Sequence, residues 1–296
     1  MNVLVSGASG FIGGCLTRHL LQSGHRVVGL DRQPTPFQLA EVFHVTKDLN
    51  RPFDLDELGR FDAIFHLAGE PLEGRWTAAK KRRISQSRTV TTRHIMEAVA
   101  ASRWRPKILI SASAIGYYGD AGEAILDRDA PPGEGFLADV CQAWEAEART
   151  AQKLGLRVVC FRNAVVLGKG GYLRRVTGPL NYGGGFWLGD GRQWFSWVEV
   201  NDLCRMYIAA LHHRRLSGSY NAVAGQVRHR QFMQALGRQL GRPVWLPLPR
   251  ALLKLRFGEL ADALCASQRV VNKEPVLTAC IRYRRLESAL ARGLKH

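Results

Sequence analysis

Three glycines near the N-terminus carry the plainest chemical signal. Gly7-Ala8-Ser9-Gly10-Phe11-Ile12-Gly13 follows an apolar run at 3–5 and opens an amphipathic stretch, Phe11–Gln22. A strand that turns straight into a helix leaves the first helical N–H groups without partners inside the helix, and the helix dipole adds partial positive charge there. Gly7 permits the tight turn, Gly10 lets the backbone approach a bound group, and Gly13 lets helix and strand pack closely. This combination suits the pyrophosphate of a dinucleotide, gripped by backbone amides that include those of Phe11 and Ile12. A second signal ends the next apolar run. Asp31 would accept from a ribose 2′-hydroxyl and repel a 2′-phosphate, which favours NAD. Arg32 would pair with a 2′-phosphate or stack on adenine, which favours NADP. Between NAD and NADP the two residues argue against each other.

The elements that must position these groups follow a simple grammar. Short apolar runs at 3–5, 27–30, 42–45, 63–67, 108–110 and 158–161 alternate with amphipathic stretches such as Phe11–Gln22 and 87–101. That alternation predicts a parallel sheet with helices on both faces. The expected class is α/β: a Rossmann doubly wound sheet, a smaller mixed substrate lobe, and a C-terminal, mostly helical module. Boundaries are expected at 1–168 for the dinucleotide-binding domain, with segments around 195–225 returning to it. Residues 169–246 would form the substrate lobe and cleft, and 247–296 the small module. Beyond Gly168, the pairs Gly170-Gly171 and the run Gly183–185 are expected to break the chain into loops lining a cleft. Helices are expected again at 202–212 and 230–240.

Composition narrows the function. With 296 residues, of which 46% are hydrophobic, the chain can bury a full core. No apolar run is long enough to span a bilayer, and a strand beginning at Asn2 leaves no room for a signal peptide, so a cytoplasmic, non-membrane protein is expected. The six cysteines form no CxxC pair, no histidine sits at metal-ligand spacing beside them, and neither a metal nor a disulfide framework is expected. The net charge of +17 is concentrated in part between Arg75 and Lys107. A solvated helix face explains that segment better than nucleic-acid binding, since interleaved aromatics are lacking. An anionic small-molecule substrate remains compatible with it, and oligomeric state is left open.

Together these segments resemble the extended short-chain dehydrogenase/reductase superfamily, whose glycine motif has the GxxGxxG spacing seen here. Asp48-Leu49 resembles the acidic dipeptide that meets adenine after the third strand. His66-Leu67-Ala68-Gly69 resembles the fourth-strand end that passes under the ribose and nicotinamide. The stretch from Arg162 through Val165 and Val166 to Gly168 resembles the segment beside the nicotinamide. More narrowly, Leu67-Ala68-Gly69-Glu70-Pro71, Arg75-Trp76, Ser87-Arg88, the run from Ser111 to Asp120, Trp144-Glu145 and Gly191-Arg192-Gln193-Trp194 are similar to the bacterial "epimerase family protein" branch. That branch is an atypical, sugar-nucleotide epimerase-like subgroup of the NAD-dependent epimerase/dehydratase superfamily. Gly258-Glu259 and Gln268-Arg269-Val270 match its small C-terminal domain. The resemblance implies cofactor contacts from Gly7, Gly10, Phe11, Ile12, Gly13, Asp31, Arg32, Asp48, Leu49, Leu67, Ala68, Gly69, Glu70, Arg88, Ser111, Ala112, Arg162, Val165 and Val166. Three departures stand out. Asp31 replaces the usual Thr or Ser, Glu199 replaces a His ahead of Asp202, and Phe186-Trp187 replaces Gly-Pro.

The resemblance also implies an acid/base Tyr, its pKa lowered from about 10 by a Lys four residues later, and a Ser that holds the substrate oxygen. Ser113, or Ser111, fits the Ser. The helix expected to carry the pair places Phe136 and Val140 at those positions, which supply neither hydroxyl nor ammonium. Tyr117 is the substitute read here. Tyr118, Glu70 and Asp139 are further groups at the rim. Each also has an ordinary reading: packing for the tyrosines, capping or pairing with Arg75 or Arg88 for Glu70, solvation for Asp139. Arg192, Trp194 and Trp197 would form a stacking wall for a ligand, or simply pack. The expected function is an NAD(P)-dependent oxidoreductase or epimerase acting on a small carbonyl, hydroxyl or nucleotide-sugar-like compound. The alternative is a non-catalytic NAD(P)-binding redox sensor or interaction protein.

Overall fold

The computed structural model describes residues 1–33, 41–181 and 184–295. The β-type runs become strands β1 (Asn2–Ser6), β2 (Arg26–Asp31), β3 (Phe43–Thr46), β4 (Ala63–His66) and β5 (Ile108–Ala114). Helices α1 (Phe11–Gln22), α2 (Ala78–Ala101) and α3 (Phe136–Arg149) connect them, with a short β6 (Ile125–Leu126) between. Then come β7 (Arg157–Asn163), β8 (Val165–Leu167), α4 (Gly171–Asn181), β9 (Gly185–Leu188), β10 (Trp194–Glu199), α5 (Val200–His212), β11 (Gly218–Ala222) and β12 (Gly225–Arg228). The chain closes with α6 (His229–Leu240), β13 (Val244–Leu248), α7 (Arg250–Phe257), α8 (Leu260–Cys265), β14 (Arg269–Val270), α9 (Pro275–Ala279) and α10 (Leu286–Lys295).

Seven strands form one parallel sheet in the order β11-β7-β5-β4-β1-β2-β3. Every residue of β4 is buried, as a strand covered on both faces must be. On one face Leu16 and Leu20 of α1 pack with Leu203, Met206 and Tyr207 of α5. On the other, Ile95 and Val99 of α2 pack with Ala148 of α3. The order reverses between β1 and β4: the chain moves outward through β2 and β3, then returns to the far side of β1. A crevice opens outside the carboxyl ends of strands at such a reversal, which is where α/β sheets bind ligands. Ser6, Leu30, His66 and Ser111 stand level across that edge.

The stretch after Gly168 corrects the expectation of loops. Gly171 opens helix α4, whose Leu173 and Leu180 are both 1% exposed and lie seven residues apart on one face. The glycines there serve contact rather than breakage: a Cβ on Gly170 would lie 2.5 Å from the Phe11 ring, and one on Gly168 2.6 Å. They let the Phe11 ring settle on the loop. Gly183 lies outside the described residues. Smaller sheets, β12-β10-β8, β13-β9 and β14-β6, complete this part of the molecule. Among the described residues no helix is long and apolar enough to cross a membrane.

Candidate functional site

The glycine turn joins β1 to α1 at the reversal point. Gly7 has φ +74°, and its N–H donates to Leu30 O at 2.8 Å. A Cβ on Gly7 would lie 2.9 Å from Ala68 N, and one on Gly13 would lie 2.0 Å from Gly7 O. Side chains at either position collide with backbone. Gly10 caps α1 with no side-chain hydrogen bond, and no acidic residue occupies the first turn. The amides of Phe11, Ile12 and Gly13 have no acceptor among the described residues. Unpaired amides at a helix N-terminus form an anion cradle.

Asp31 ends β2 and is 6% exposed. Its carboxylate accepts from Ser9 N at 3.0 and 3.2 Å and from Ser9 Oγ at 2.8 Å, which fixes it against the turn. Arg32 instead points outward, 60% exposed, with a nitrogen 3.8 Å from Glu70. Asp48 is exposed and accepts from Asn50, whereas Leu49 is buried and its carbonyl meets His94 at 2.9 Å.

Leu67, Ala68 and Gly69 leave the end of β4, and Ser6 Oγ accepts from the amides of Leu67 and Ala68 at 3.2 and 3.4 Å. Beneath them His66 is buried between Ser6 and Thr92, at 2.6 and 2.9 Å. Burial first, and then the Arg88 charge, pushes its pKa down to about 3, so it is neutral at ordinary pH. Arg88 lies against Gly69, where a Cβ would meet Cζ at 3.3 Å. Its Nη1 donates to the carbonyls of Ile84 and Glu70, and its guanidinium stacks 5.2 Å from the Trp144 ring. Among the described residues it makes no ion pair, and a fixed cation held by carbonyls beside the groove suits a phosphate. Glu70 pairs with Lys80 at 2.8 Å, Arg83 at 3.5 Å and Arg32, not with the side chains of Arg75 or Arg88 as one sequence reading held. The Lys80 hydrogen bond holds the Glu70 carboxyl below its usual range.

At the carboxyl end of β5 lies a buried polar network. Ser113 is 3% exposed and donates to Glu145 Oε1 at 2.9 Å. Arg162 grips the same carboxylate twice, Nε to Oε1 at 2.8 Å and Nη2 to Oε2 at 3.1 Å. Its Nη1 donates to Tyr118 Oη at 2.9 Å and Arg128 O at 3.0 Å. Tyr118 in turn donates to Asn221 Oδ1 at 2.7 Å. Tyr117, half-buried, lays its ring 3.5 Å from the Arg162 guanidinium carbon. Burial would raise the Glu145 pKa, but hydrogen bonds and charge from Arg162, with Ser219 and Ser113, hold it below the usual range. Ser111 is wholly buried and donates to its neighbour's carbonyl, Ala112 is 7% exposed, and Val165 and Val166 on β8 are half-buried.

Other expected groups lie elsewhere. Phe136 meets Trp76 edge-on at 5.2 Å, and Val140 is buried in the same apolar cluster with Ile84 and Leu260. The tryptophan wall is not formed. Trp197 is 2% exposed in a third core cluster, and the Trp194 ring is already covered by Arg228 at 4.1 Å and Arg269 at 4.3 Å. The basic segment is partly neutralised by distant acids, with Lys81 on Glu259, Arg103 on Asp56 and Arg93 on Glu147. Sequence reasoning assigned no role to Glu145, although Trp144-Glu145 was one of the resembling stretches, and missed Asn221 altogether. It also overlooked that His19 follows Cys15 by one helical turn: Cys15, His19 and Cys204 come together between α1 and α5.

Comparison with known proteins gives a consistent picture. A family model described as "NAD dependent epimerase/dehydratase family" matches residues 3–223. The chain is 33% identical over 294 residues to "Epimerase family protein YfhF" of Bacillus subtilis, covering 98% of this chain and 97% of that one. The crystal structure of human epimerase family protein SDR39U1 (isoform2) with NADPH superposes with a TM-score of 0.86 at 30% identity, covering 100% of this chain and 99% of that one. A UDP-glucuronic acid 4-epimerase from Bacillus cereus, in complex with UDP-glucuronic acid and NAD, shares the fold at 18% identity and a TM-score of 0.78, over 100% of this chain and 98% of that one.

Proposed function

Since the chain belongs to the NAD-dependent epimerase/dehydratase family, in its "epimerase family protein" branch, we propose that it is an oxidoreductase of the atypical short-chain type, acting on a small hydroxyl or carbonyl compound with NAD(H) as hydride carrier. The observation that carries this reading is the row of unspent amides at Phe11, Ile12 and Gly13, opposite a fixed Asp31. The cradle suits a dinucleotide: its backbone amides are free to donate to a pyrophosphate, and Cβ atoms at Gly7 or Gly13 would fill the turn. When bound, the nicotinamide accepts or donates the hydride.

The protein's own groups then bind and move protons. Asp31 is pinned by Ser9 while Arg32 is turned to Glu70, which supports the carboxylate, not the guanidinium, as the group that would meet a ribose diol. This supports NAD(H), although the human relative was crystallised with NADPH. NADH is expected to bind about tenfold tighter than NADPH, a difference of ~1.4 kcal/mol. Asp31→Ser is expected to reverse that preference in parallel titrations. Equal binding of both dinucleotides by the wild type, or an unchanged preference in the variant, removes Asp31 from this role.

With Phe136 and Val140 packed in an apolar cluster, the usual acid/base pair is replaced. Ser113 donates its hydroxyl hydrogen bond to Glu145 and keeps oxygen lone pairs that can accept from a substrate hydroxyl. Tyr117, stacked on the Arg162 cation, exchanges a proton with the substrate oxygen. The test is NADH oxidation against a panel of carbonyls, together with NAD+ reduction against alcohols and nucleotide sugars. Turnover on at least one member is expected, and Tyr117→Phe should lower kcat by about a hundredfold. The absence of a hydroxyl at Phe136 favours a second reading, a cofactor-holding redox reporter without turnover. Tight NADH binding with no turnover in either direction across the panel would select it.

A further inference from the structure

On the sheet face where α1 packs against α5, two thiols and an imidazole converge. Cys15 and His19 stand four residues apart on α1 and so share one helix face. Cys204 comes from α5 and is 0% exposed. The two sulfurs and a His19 ring nitrogen all lie within 4.8 Å of one another. A fourth donor is present. Asn201 Oδ1 lies 3.0 Å from His19 Nε2 and 3.6 Å from Cys15 Sγ. That oxygen is aimed at the cluster because the other end of the amide is held: Asn201 Nδ2 donates to Glu199 Oε1 at 2.7 Å, and Asn201 N donates to Oε2 at 2.8 Å. Glu199 is 1% exposed and caps α5. It is also the residue that stands where the resembling branch usually has His.

We propose that Cys15, His19 and Cys204 form a zinc site, with Asn201 Oδ1 at the fourth corner. Cysteine sulfur and imidazole nitrogen are the ligands zinc favours, and their number leaves one position for an oxygen donor. In a tetrahedral centre with zinc–sulfur bonds of about 2.3 Å, neighbouring ligand atoms stand roughly 3.5–3.8 Å apart. An inward shift of about one ångström therefore closes the shell around the ion. Each thiol releases a proton on binding, the His19 ring binds through a neutral nitrogen, and the two thiolates balance the divalent charge. The Glu199–Asn201 pair acts as the outer support that orients one donor. Bound there, the ion fastens the helix whose N-terminus forms the anion cradle to the helix that follows β10.

Elemental mass spectrometry on untagged full-length protein, purified reduced with zinc and then gel-filtered, tests this. About one zinc per chain is expected, falling below about a tenth of that in both Cys15→Ala and Cys204→Ala. Cobalt in place of zinc is expected to give a thiolate-to-metal charge-transfer band that both variants lack. Cys204 is a core position, so circular dichroism and thermal melting check that its variant folds. Cys15 is only half-buried, and its variant carries the test independently. Zinc at background level in the reduced wild type, or undiminished zinc in Cys15→Ala, overturns the site. So does a Cys15–Cys204 disulfide in freshly purified protein.

Discussion

Glu145→Ala is expected to lower the unfolding free energy by about 3–5 kcal/mol, read as a fall in the urea midpoint. The side chains of Glu145 and Arg162 are 0% and 4% exposed. Removing the acid leaves a guanidinium buried without its counter-charge, and takes an acceptor from Ser113, Ser219 and Arg149. The cost comes from the stranded charge more than from the lost attraction. Removing both charges in Glu145→Met/Arg162→Met should therefore be less destabilising than the sum of the single changes. The pair also sets a pH dependence. The Glu145 pKa is depressed in the fold, so its contribution is complete above the unfolded value of about 4.3 and is lost as pH falls through the folded value. A midpoint that is equally sensitive to acid in wild type and Glu145→Gln would contradict this assignment.

Gly13→Ala is expected to weaken dinucleotide binding by about a hundredfold, or ~3 kcal/mol, the worth of two misdirected hydrogen bonds to a charged group. The new methyl would stand 2.0 Å from Gly7 O, so the turn must open and its amides lose their aim. Overpacking alone should also cost about 1–3 kcal/mol of stability. The neighbouring residue supplies the control. A Cβ on Gly14 meets Ala8 O at 3.6 Å, an ordinary contact. Gly14→Ala should bind normally and gain about 0.5–1 kcal/mol of helix stability. Equal binding by the two variants would show that the turn does not hold the phosphates.

Local pattern made much of this molecule legible. The alternation of apolar runs with amphipathic stretches marked six of the seven strands of the main sheet, since a strand covered on both faces is apolar; the edge strand β11, Gly218–Ala222, carries too few apolar residues to be read this way. The glycine turn was legible because its chemistry lies within seven consecutive residues. Groups that meet only through tertiary packing were not. Glu145 and Arg162 are 17 residues apart, Tyr118 and Asn221 103 apart. Nothing local ties Cys204 to Cys15, which it meets only because α5 packs on α1. Helix α4 was hidden by its glycines, which read as chain breaks although they make room for the Phe11 ring. The tryptophans misled in the opposite way. A cluster of aromatic residues near glycines suggests a ligand wall, but Trp197 packs into the core against Gly225 and Trp194 is already flanked by arginines.

Isothermal titration of the purified chain with NADH and NADPH tests the central claim most directly. A cradle of free amides predicts a single saturable site per chain for NADH, with Kd in the range of about 1–100 µM. Heats that match dilution for both dinucleotides well above that range would contradict it.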